Sequence, residues 1–135
     1  LEPEDKTYLN DIVQKLISGR EVMAAYDEII CPTWIEDVVA AVLTLQRNDF
    51  NGDINICSPE AISRYNLTLM IADVLGCSRN QVVRVALRDL PNGNRRAVYN
   101  HVDSSRLMHE FSFWFTPLTR CLKMLRARQK EVSVH

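Results

Sequence analysis

Apolar residues recur at helical spacing through most of this 135-residue chain, and short strand-like runs lie between these stretches. Within each stretch, positions three and four apart are apolar, which is typical of one buried helix face. The pattern predicts five helices, over residues 8–17, 34–45, 64–75, 104–108 and 117–130. Gly19 and Gly76 follow the first and third stretches, at the position where a glycine commonly ends a helix.

Three strands are predicted between the helices, at Glu21–Tyr26, Ile54–Cys57 and Val82–Val85. A strong turn signal, Asn51-Gly52-Asp53, precedes the second strand. Because strands alternate with helices along the chain, the order of elements favours an α/β fold. The strands are few and short, so they do not easily form a doubly wound sheet of their own.

The residues at the helix starts add to this prediction, because Ser and Thr side chains accept hydrogen bonds from the first free N–H groups of a helix. We expect Thr33 to cap the second helix, Ser63 the third and Thr116 the last. Pro117 suits the first position of the last helix. Asp37 lies in the first turn of the second helix, where its negative charge favours the helix dipole.

Composition and charge exclude some classes of function. A net charge of −1 and a pI near 6.3 give no overall electrostatic footprint for nucleic acid or a membrane surface. The one local excess of positive charge is residues 120–130, which are interpreted as the solvated side of the last helix. A patch for nucleic acid or acidic lipid is the alternative interpretation of this segment. No apolar run approaches the 18 or so residues that a membrane helix needs.

The cysteines and histidines show no metal-binding spacing. None of the four cysteines lies close enough in sequence to form a Cys-x-x-Cys pair, and each has apolar neighbours or lies at an element edge: Cys31, Cys57, Cys77 and Cys121. Reduced and mostly buried thiols in a cytoplasmic protein are therefore expected. The three histidines have no partners at zinc-ligand spacing: His101, His109 and His135.

Catalytic motifs are missing from the sequence. The four glycines are isolated, so no glycine-rich turn is present that would let backbone N–H groups reach a dinucleotide pyrophosphate. No tyrosine is followed four residues later by a lysine, the arrangement in which a lysine lowers the pKa of a phenol for proton transfer. Nucleophile-elbow, P-loop and zinc-protease motifs are also missing. The chain alone therefore has no recognisable catalytic constellation.

Three blocks of the sequence resemble one family when they are taken in order. Residues 27–37 read Asp-Glu-Ile-Ile-Cys-Pro-Thr-Trp-Ile-Glu-Asp and resemble the family segment D-Q-x-x-x-P-T-x-x-x-D. Residues 52–67 resemble a block in which a strand ends and a serine, here Ser63, caps the next helix. Residues 96–107 resemble the block R-P-x-x-S-x-L-D-x-x-K-L. These blocks occur in the dTDP-4-dehydrorhamnose reductase group of the extended short-chain dehydrogenase/reductases, and the resemblance spans roughly residues 8–126.

The resemblance implies a fold and a domain organisation. In that family the first block lies well past the cofactor site, whereas here it begins at residue 27. We therefore expect residues 1–135 to form one unit, the C-terminal, substrate-side part of an NAD(P)-binding Rossmann-like protein, with few short strands and flanking helices. The N-terminal dinucleotide-binding part would be absent from this chain.

The resemblance also implies a function for the complete protein. Such a protein would reduce a 4-keto-sugar nucleotide with NADPH or NADH, and a tyrosine outside this chain would supply the proton. The present chain would bind the nucleotide-sugar substrate, would bind no coenzyme by itself and would be inactive alone. Whether the complete protein is an enzyme stays open, since the non-catalytic regulatory β-subunit of methionine adenosyltransferase resembles the same blocks. A regulatory or protein-interaction module is therefore the alternative.

Departures from the family pattern bear on this choice. Glu28 stands where the family usually has Gln, Ile30 where it often has Gly, Ala97 where it has Pro, and Asn100 where it has Ser. They put the usual substrate in question. Since a part of a larger sheet leaves a strand edge and an apolar helix face uncovered, we also expect the chain to self-associate or to pair with the missing N-terminal half.

Four residues are predicted to bind the substrate. Arg96 matches the family arginine near the nucleotide-sugar site, where a guanidinium suits a diphosphate, and a surface salt bridge is its alternative role. Asp27, Thr33 and Trp34 would shape the sugar pocket. Asp27 and Thr33 alternatively organise their loop through hydrogen bonds to the backbone, and Trp34 alternatively packs in the core. Arg64 is a candidate to border the pocket, whereas packing is the favoured role for Tyr65 and a place at the pocket its alternative.

Overall fold

The helices of the computed structural model, which describes residues 7–134, follow the predicted order. They are α1 (Tyr8–Ile17), α2 (Ile35–Arg47), α3 (Arg64–Leu75), α4 (Ser105–Glu110) and α5 (Leu118–Val134). Five short strands accompany them: β1 (Val22–Ala25), β2 (Ile29–Ile30), β3 (Ile62–Ser63), β4 (Val82–Val85) and β5 (Tyr99–Asn100). The expected α/β fold with few short strands and flanking helices is confirmed. His135 and residues 1–6 of the predicted unit lie outside the described residues.

The strands form two small sheets. β1 and β4 pair in parallel, with Val22 opposite Val82 and Ala25 opposite Val85. The second sheet has the order β3-β2-β5, in which β2 runs antiparallel to β3 and parallel to β5. These two-residue strands escaped prediction from the sequence because a period-2 pattern needs more residues than two to be recognised.

Three of the predicted helix ends are confirmed by their hydrogen bonds or dihedral angles. The backbone N–H of Asn66 donates to the Ser63 hydroxyl at 3.1 Å, so Ser63 caps α3. Gly19 and Gly76 follow α1 and α3 with φ angles of 73° and 72°. A glycine reaches this left-handed region without the steric penalty of a Cβ atom, and both glycines therefore end their helices.

Two of the predicted caps are wrong, because both threonines use their side chains elsewhere. Trp34, not Thr33, precedes the first residue of α2, and the Thr33 hydroxyl donates to the Cys31 carbonyl at 3.2 Å. Thr116 donates through its N–H and its hydroxyl to the carboxylate of Asp37, at 2.8 and 2.7 Å. The cap of α5 is instead Glu60, whose Oε1 accepts from the N–H of Leu118 at 3.1 Å.

The strand predicted at residues 54–57 is also wrong, since this segment belongs to neither sheet. Its sequence alternates as a strand would, but no other strand among residues 7–134 pairs with it. Ile54 and Ile56 instead pack against a cluster of buried side chains around α2, which comprises Ala41, Leu107 and Phe113. A strand needs a partner, and alternation alone does not supply one.

The main core lies between α1, α3, α5 and the β1–β4 pair. Its fully buried side chains include Ile12 and Leu16 from α1 and Ile71 from α3. From α5, the core receives Leu118, Leu122 and Leu125. These residues follow the predicted apolar stripes. The core therefore fixes how the three helices are spaced, and an open cleft lies beside it.

Candidate functional site

An open cleft of about 400 Å³ lies between α1, α3, α5 and the loop Cys31–Trp34. Most of its lining is apolar and comes from the helices, including Leu67, Ile71, Leu118, Leu122 and Leu125. Polar and aromatic groups come from Tyr8 on α1, from Arg64 at the start of α3, and from Thr33 and Trp34 on the loop. A concave, mostly apolar site with a few polar groups is the usual form of a small-molecule site.

Arg64 is the cationic group of the cleft. Its guanidinium carbon lies 4.0 Å from the centre of the Tyr8 ring, a cation–π contact across the cleft wall. Burial opposes its charge, but Tyr8 and Glu28 together raise the pKa of the Arg64 guanidinium above its ordinary value. Arg64 is therefore a fixed positive charge in a largely apolar surrounding.

Glu28 forms ion pairs with both Arg64 and Arg96. Its side chain is only 1% exposed, and Oε2 lies 2.7 Å from Nε of Arg64. Nη2 of Arg96 donates to both oxygens of the same carboxylate, at 2.8 and 2.7 Å. One carboxylate thus serves two guanidinium groups, and this triad carries one net positive charge.

The Arg64 contact is an ion pair rather than a directed hydrogen bond. Its buried Nε–H has no hydrogen-bond acceptor among the residues that the structure describes. Arg96 makes the directed bonds to Glu28, and its side chain remains 32% exposed. Positive charge therefore reaches the surface through Arg96 and the cleft through Arg64.

Trp34 stands between two charged side chains at the cleft. Its indole N–H donates to Oε2 of Glu36 at 2.7 Å, and the guanidinium of Arg128 lies 4.9 Å from its ring centre. Arg128 also pairs with Glu36. The hydrogen bonds from Trp34 and then from Arg128 lower the pKa of the exposed Glu36 carboxyl below its ordinary value. Trp34 is half-buried and is not a member of the main core.

Thr33 ties the cleft loop to the segment that follows residue 57. Its hydroxyl donates to the Cys31 carbonyl and accepts from the N–H of Ser58 at 2.9 Å. The thiols of Cys31 and Cys57 lie close together here. Burial, followed by the neighbouring Cys57, raises the pKa of the Cys31 thiol, which is therefore protonated at neutral pH. Thr33 therefore connects the loop that carries Trp34 to Ser58.

The structure separates the four predicted site residues into two groups. Thr33 and Trp34 line the cleft. Asp27 and Arg96 do not, although Arg96 is linked to the cleft through Glu28 and Arg64. Oδ1 of Asp27 accepts from the N–H of Leu87 at 2.7 Å, which is the loop-organising role considered for it.

Sequence reasoning missed two residues that shape the site, Glu28 and Tyr8. From the sequence, Glu28 is only a departure from the family Gln, although a carboxylate at a strand end requires a cationic partner when it is buried. From the sequence, Tyr8 is only the first residue of the helix predicted over residues 8–17. Arg64 lines the cleft as expected, whereas Tyr65 packs against the main core.

The described residues meet neither the requirements of a metal site nor those of a membrane-spanning helix. No group of three or more His, Cys, Asp or Glu side chains that could hold a metal ion occurs within residues 7–134. Over the same part of the chain, no helix combines the length and the apolar character needed to cross a membrane.

Comparisons with known proteins show which solved structures share this fold. No protein-family model and no curated protein sequence matches the chain. Solved structures do match: a dTDP-glucose 4,6-dehydratase from Bacillus anthracis, in complex with NAD, has a TM-score of 0.77 at 12% identity over 97% of this chain. A dTDP-4-dehydrorhamnose reductase from Clostridium acetobutylicum has a TM-score of 0.77 at 15% identity over 90% of it. This is the fold of the extended short-chain dehydrogenase/reductases.

A third structure agrees with the first two. The dTDP-4-dehydrorhamnose reductase from Yersinia enterocolitica has a TM-score of 0.73 at 15% identity and covers 91% of this chain. In each case the match spans only 42% or 43% of the solved chain. The chain therefore spans about two fifths of the length of these solved chains, and identities this low show the fold alone.

Proposed function

We propose that this chain is the nucleotide-sugar-binding part of an NAD(P)-dependent 4-keto-sugar-nucleotide reductase that resembles dTDP-4-dehydrorhamnose reductase. The observation that carries the proposal is the cleft with Arg64 in its wall, backed by a triad that has a buried carboxylate and one net positive charge. A nucleotide sugar presents an anionic diphosphate between two rings. A guanidinium beside apolar and aromatic surface suits that combination.

Each cleft residue has a role in this proposal. Arg64 binds a diphosphate oxygen. Arg96 offsets the negative charge of Glu28, so the triad beside the cleft keeps a net positive charge. Trp34 offers a ring face next to the sugar or base, and Thr33 fixes the loop that carries it. The binding of a diphosphate is stronger here than at the protein surface, because apolar walls reduce screening by water.

The chemistry of reduction requires groups that this sequence does not contain. It has neither a glycine-rich turn for a dinucleotide nor a tyrosine four residues before a lysine. NAD(P)H and the proton donor therefore belong to a second part of the complete protein, and this chain alone is inactive. Its own residues bind and orient the substrate.

Isothermal titration of the chain with dTDP and UDP tests the proposal. Arg64→Gln removes the cation from the cleft and should weaken binding at least tenfold, since a hydrogen bond to a charged group contributes about 1.5–3 kcal/mol. Arg88→Gln is the matched control: it removes the same charge from a side chain that is 86% exposed, and binding should be unchanged. Thermal melts of each variant verify folding.

A regulatory or protein-interaction module is the second candidate function. It is favoured by the missing catalytic motifs and by an apolar face of α2 that the described residues leave exposed. If neither dTDP nor UDP binds the folded chain, the nucleotide-sugar proposal falls and the module becomes the function to test. Binding that Arg64→Gln and Arg88→Gln weaken equally would also contradict a site in the cleft.

A further inference from the structure

Cys31 and Cys57 are neighbours in space, although they are far apart in the sequence. Both are free thiols, and their side chains are joined by a hydrogen bond. A second contact brings their backbones together: the Thr33 hydroxyl donates to the Cys31 carbonyl at 3.2 Å and accepts from the N–H of Ser58 at 2.9 Å. Neighbouring backbones with side chains in contact are the main geometric requirement for a disulfide.

The two thiols differ in how easily an oxidant reaches them. Cys31 is half-buried and lines the open cleft. Cys57 is only 8% exposed and lies behind Cys31, outside the lining of the cleft. A small molecule that enters the cleft therefore meets Cys31 first, and Cys57 reacts only with what forms on Cys31. An accessible thiol beside a sheltered resolving thiol is the usual arrangement of a reversible redox pair.

The other two cysteines make different contacts. The thiol of Cys121 donates to the carbonyl of Thr116 at 3.7 Å, and Cys77 packs against the main core. Burial, followed by Cys57, raises the pKa of the Cys31 thiol, so little thiolate is present at neutral pH and its exchange reactions are slow. The pair is therefore suited to prolonged oxidation rather than to a brief encounter with an oxidant.

We propose that Cys31 and Cys57 form a reversible disulfide that moves the loop over residues 31–34 and thereby regulates the cleft. The effect on nucleotide binding rests on the proposed function, whereas formation of the bond does not. The oxidant is a small disulfide of the class of oxidised glutathione.

The exchange takes place in two steps. Cys31 releases its proton to water and attacks one sulfur of the small disulfide, whose S–S bond breaks as the first thiolate leaves. Cys57 then releases its proton and attacks the sulfur of Cys31, which expels the second thiolate. The two cysteines together lose two electrons and two protons, and the small disulfide is reduced to two thiols. An excess of the reduced thiol reverses both steps.

The anchoring of Cys57 determines which side moves. A covalent S–S bond is shorter than a hydrogen bond between two thiols, so the sulfurs must approach each other. The N–H of Cys57 donates at 2.7 Å to the hydroxyl of Ser104, which is itself buried. Cys31 lies on the open side, so it moves towards Cys57. Because Trp34 belongs to the same loop, oxidation withdraws its ring from the cleft.

Peptide mapping by mass spectrometry tests the bond. The chain is incubated with an excess of oxidised glutathione, its remaining thiols are alkylated, and it is digested. We expect a disulfide between Cys31 and Cys57 that excess reduced glutathione removes. Cys57→Ser should stop at a glutathione adduct on Cys31, and Cys31→Ser should leave Cys57 unmodified. Cys77→Ser is the matched control and should form the disulfide to the same extent as the natural chain.

Fluorescence and titration test the movement of the loop. In a Trp114→Phe background, Trp34 is the single tryptophan, and its emission should change on oxidation. The change should persist with Cys77→Ser and disappear with Cys57→Ser. Oxidised chain should bind dTDP about fivefold more weakly than reduced chain, the fold-change that corresponds to the loss of one aromatic contact.

Other results overturn the inference. The absence of a disulfide, a bond from Cys31 to Cys77 or Cys121, or unchanged Trp34 emission in the oxidised chain would each do so. Equal dTDP affinity of the two forms would remove the regulatory role. Failure of the proposed function is distinguishable, because in that case dTDP does not bind the reduced chain either, whereas peptide mapping and Trp34 emission still decide whether the disulfide forms and moves the loop.

Discussion

Nη2 of Arg96 lies 2.8 and 2.7 Å from the two carboxylate oxygens of Glu28, a side chain that is almost completely buried. The contact joins the end of the Gly93–Arg95 turn to the segment between β1 and β2. It also explains why a residue predicted to hold a diphosphate is found away from the cleft. Arg96 neutralises a buried carboxylate that Arg64 shares, and it affects the cleft through that carboxylate.

Replacing Glu28 by Ala should destabilise the protein more than the loss of any exposed ion pair. The change leaves Arg64 and Arg96 facing each other without the carboxylate between them. Removing one partner of a buried pair costs about 3 kcal/mol or more. Urea unfolding should show this loss, whereas Glu110→Ala, which breaks an exposed pair with Arg106, should cost less than about 1 kcal/mol. Equal effects would mean that Glu28 is not an organising group.

Gly93→Ala should disturb the triad of Arg64, Glu28 and Arg96, although Gly93 is not a member of it. A Cβ atom at Gly93 would lie 1.7 Å from the carbonyl oxygen of Leu87. The 3₁₀ turns Leu87–Asp89 and Gly93–Arg95 would therefore have to separate. Gly19→Ala is the control, because nothing lies within 4 Å of its Cβ position and only its positive φ opposes the change, at about 1 kcal/mol. We expect a clearly larger loss of unfolding free energy for Gly93→Ala, measured in urea. A loss no greater than that of the control would contradict the close approach.

The sequence predicted the helices of this fold better than its sheets and its site. Apolar stripes located all five helices, and the glycines at positions 19 and 76 ended two of them as expected. The prediction of a strand at residues 54–57 failed because alternation reports a side-chain pattern and not the presence of a partner strand. The threonine caps failed because a hydroxyl forms its hydrogen bonds with whichever group tertiary packing brings near.

The site shows the same limit. Thr33, Trp34 and Arg64 line the cleft, and each lies within a block that resembles the family. Their place at the site could therefore be predicted from the sequence. Glu28 is shared by Arg64 and Arg96, which lie 36 and 68 positions further along the chain. No local sequence pattern encodes such a contact. A buried acid in a strand-like segment indicates only that cationic partners exist.

Trp34 fluorescence should report the ionisation of Glu36. The folded-state pKa of Glu36 is lowered, so its carboxylate stays charged to a pH below the ordinary value of 4.5. Stability from this group is present above its unfolded pKa and is lost as pH falls through the lower folded pKa. In a Trp114→Phe background, Trp34 emission should change with a midpoint below pH 4.5. The transition should disappear in Glu36→Gln, and its persistence there would assign it to another group.

Val39→Glu tests whether the exposed face of α2 is uncovered in the isolated chain. A charge on this face meets water, so the unfolding free energy should change by less than about 0.5 kcal/mol. Binding of a hydrophobic dye should fall, because the charge interrupts the exposed apolar face that Ile35, Val39, Val42 and Leu43 form. Ala40→Glu introduces the same charge outside this face and should leave dye binding unchanged. Marked destabilisation by Val39→Glu alone would show that the face is covered within this chain.

Glu28→Gln should strengthen nucleotide binding while it weakens the fold. The amide keeps the shape of the carboxylate and removes its charge, so the triad changes from one net positive charge to two. An anion beside Arg64 then loses a repulsive neighbour, and we expect dTDP to bind about tenfold more tightly, or about 1.4 kcal/mol. The gain should shrink as salt increases, since a screened charge contributes less. Thymidine, which lacks phosphate, should bind the variant and the natural protein equally. Tighter binding of thymidine as well would trace the effect to a rearranged cleft, and unchanged binding of dTDP would remove the triad from the binding site.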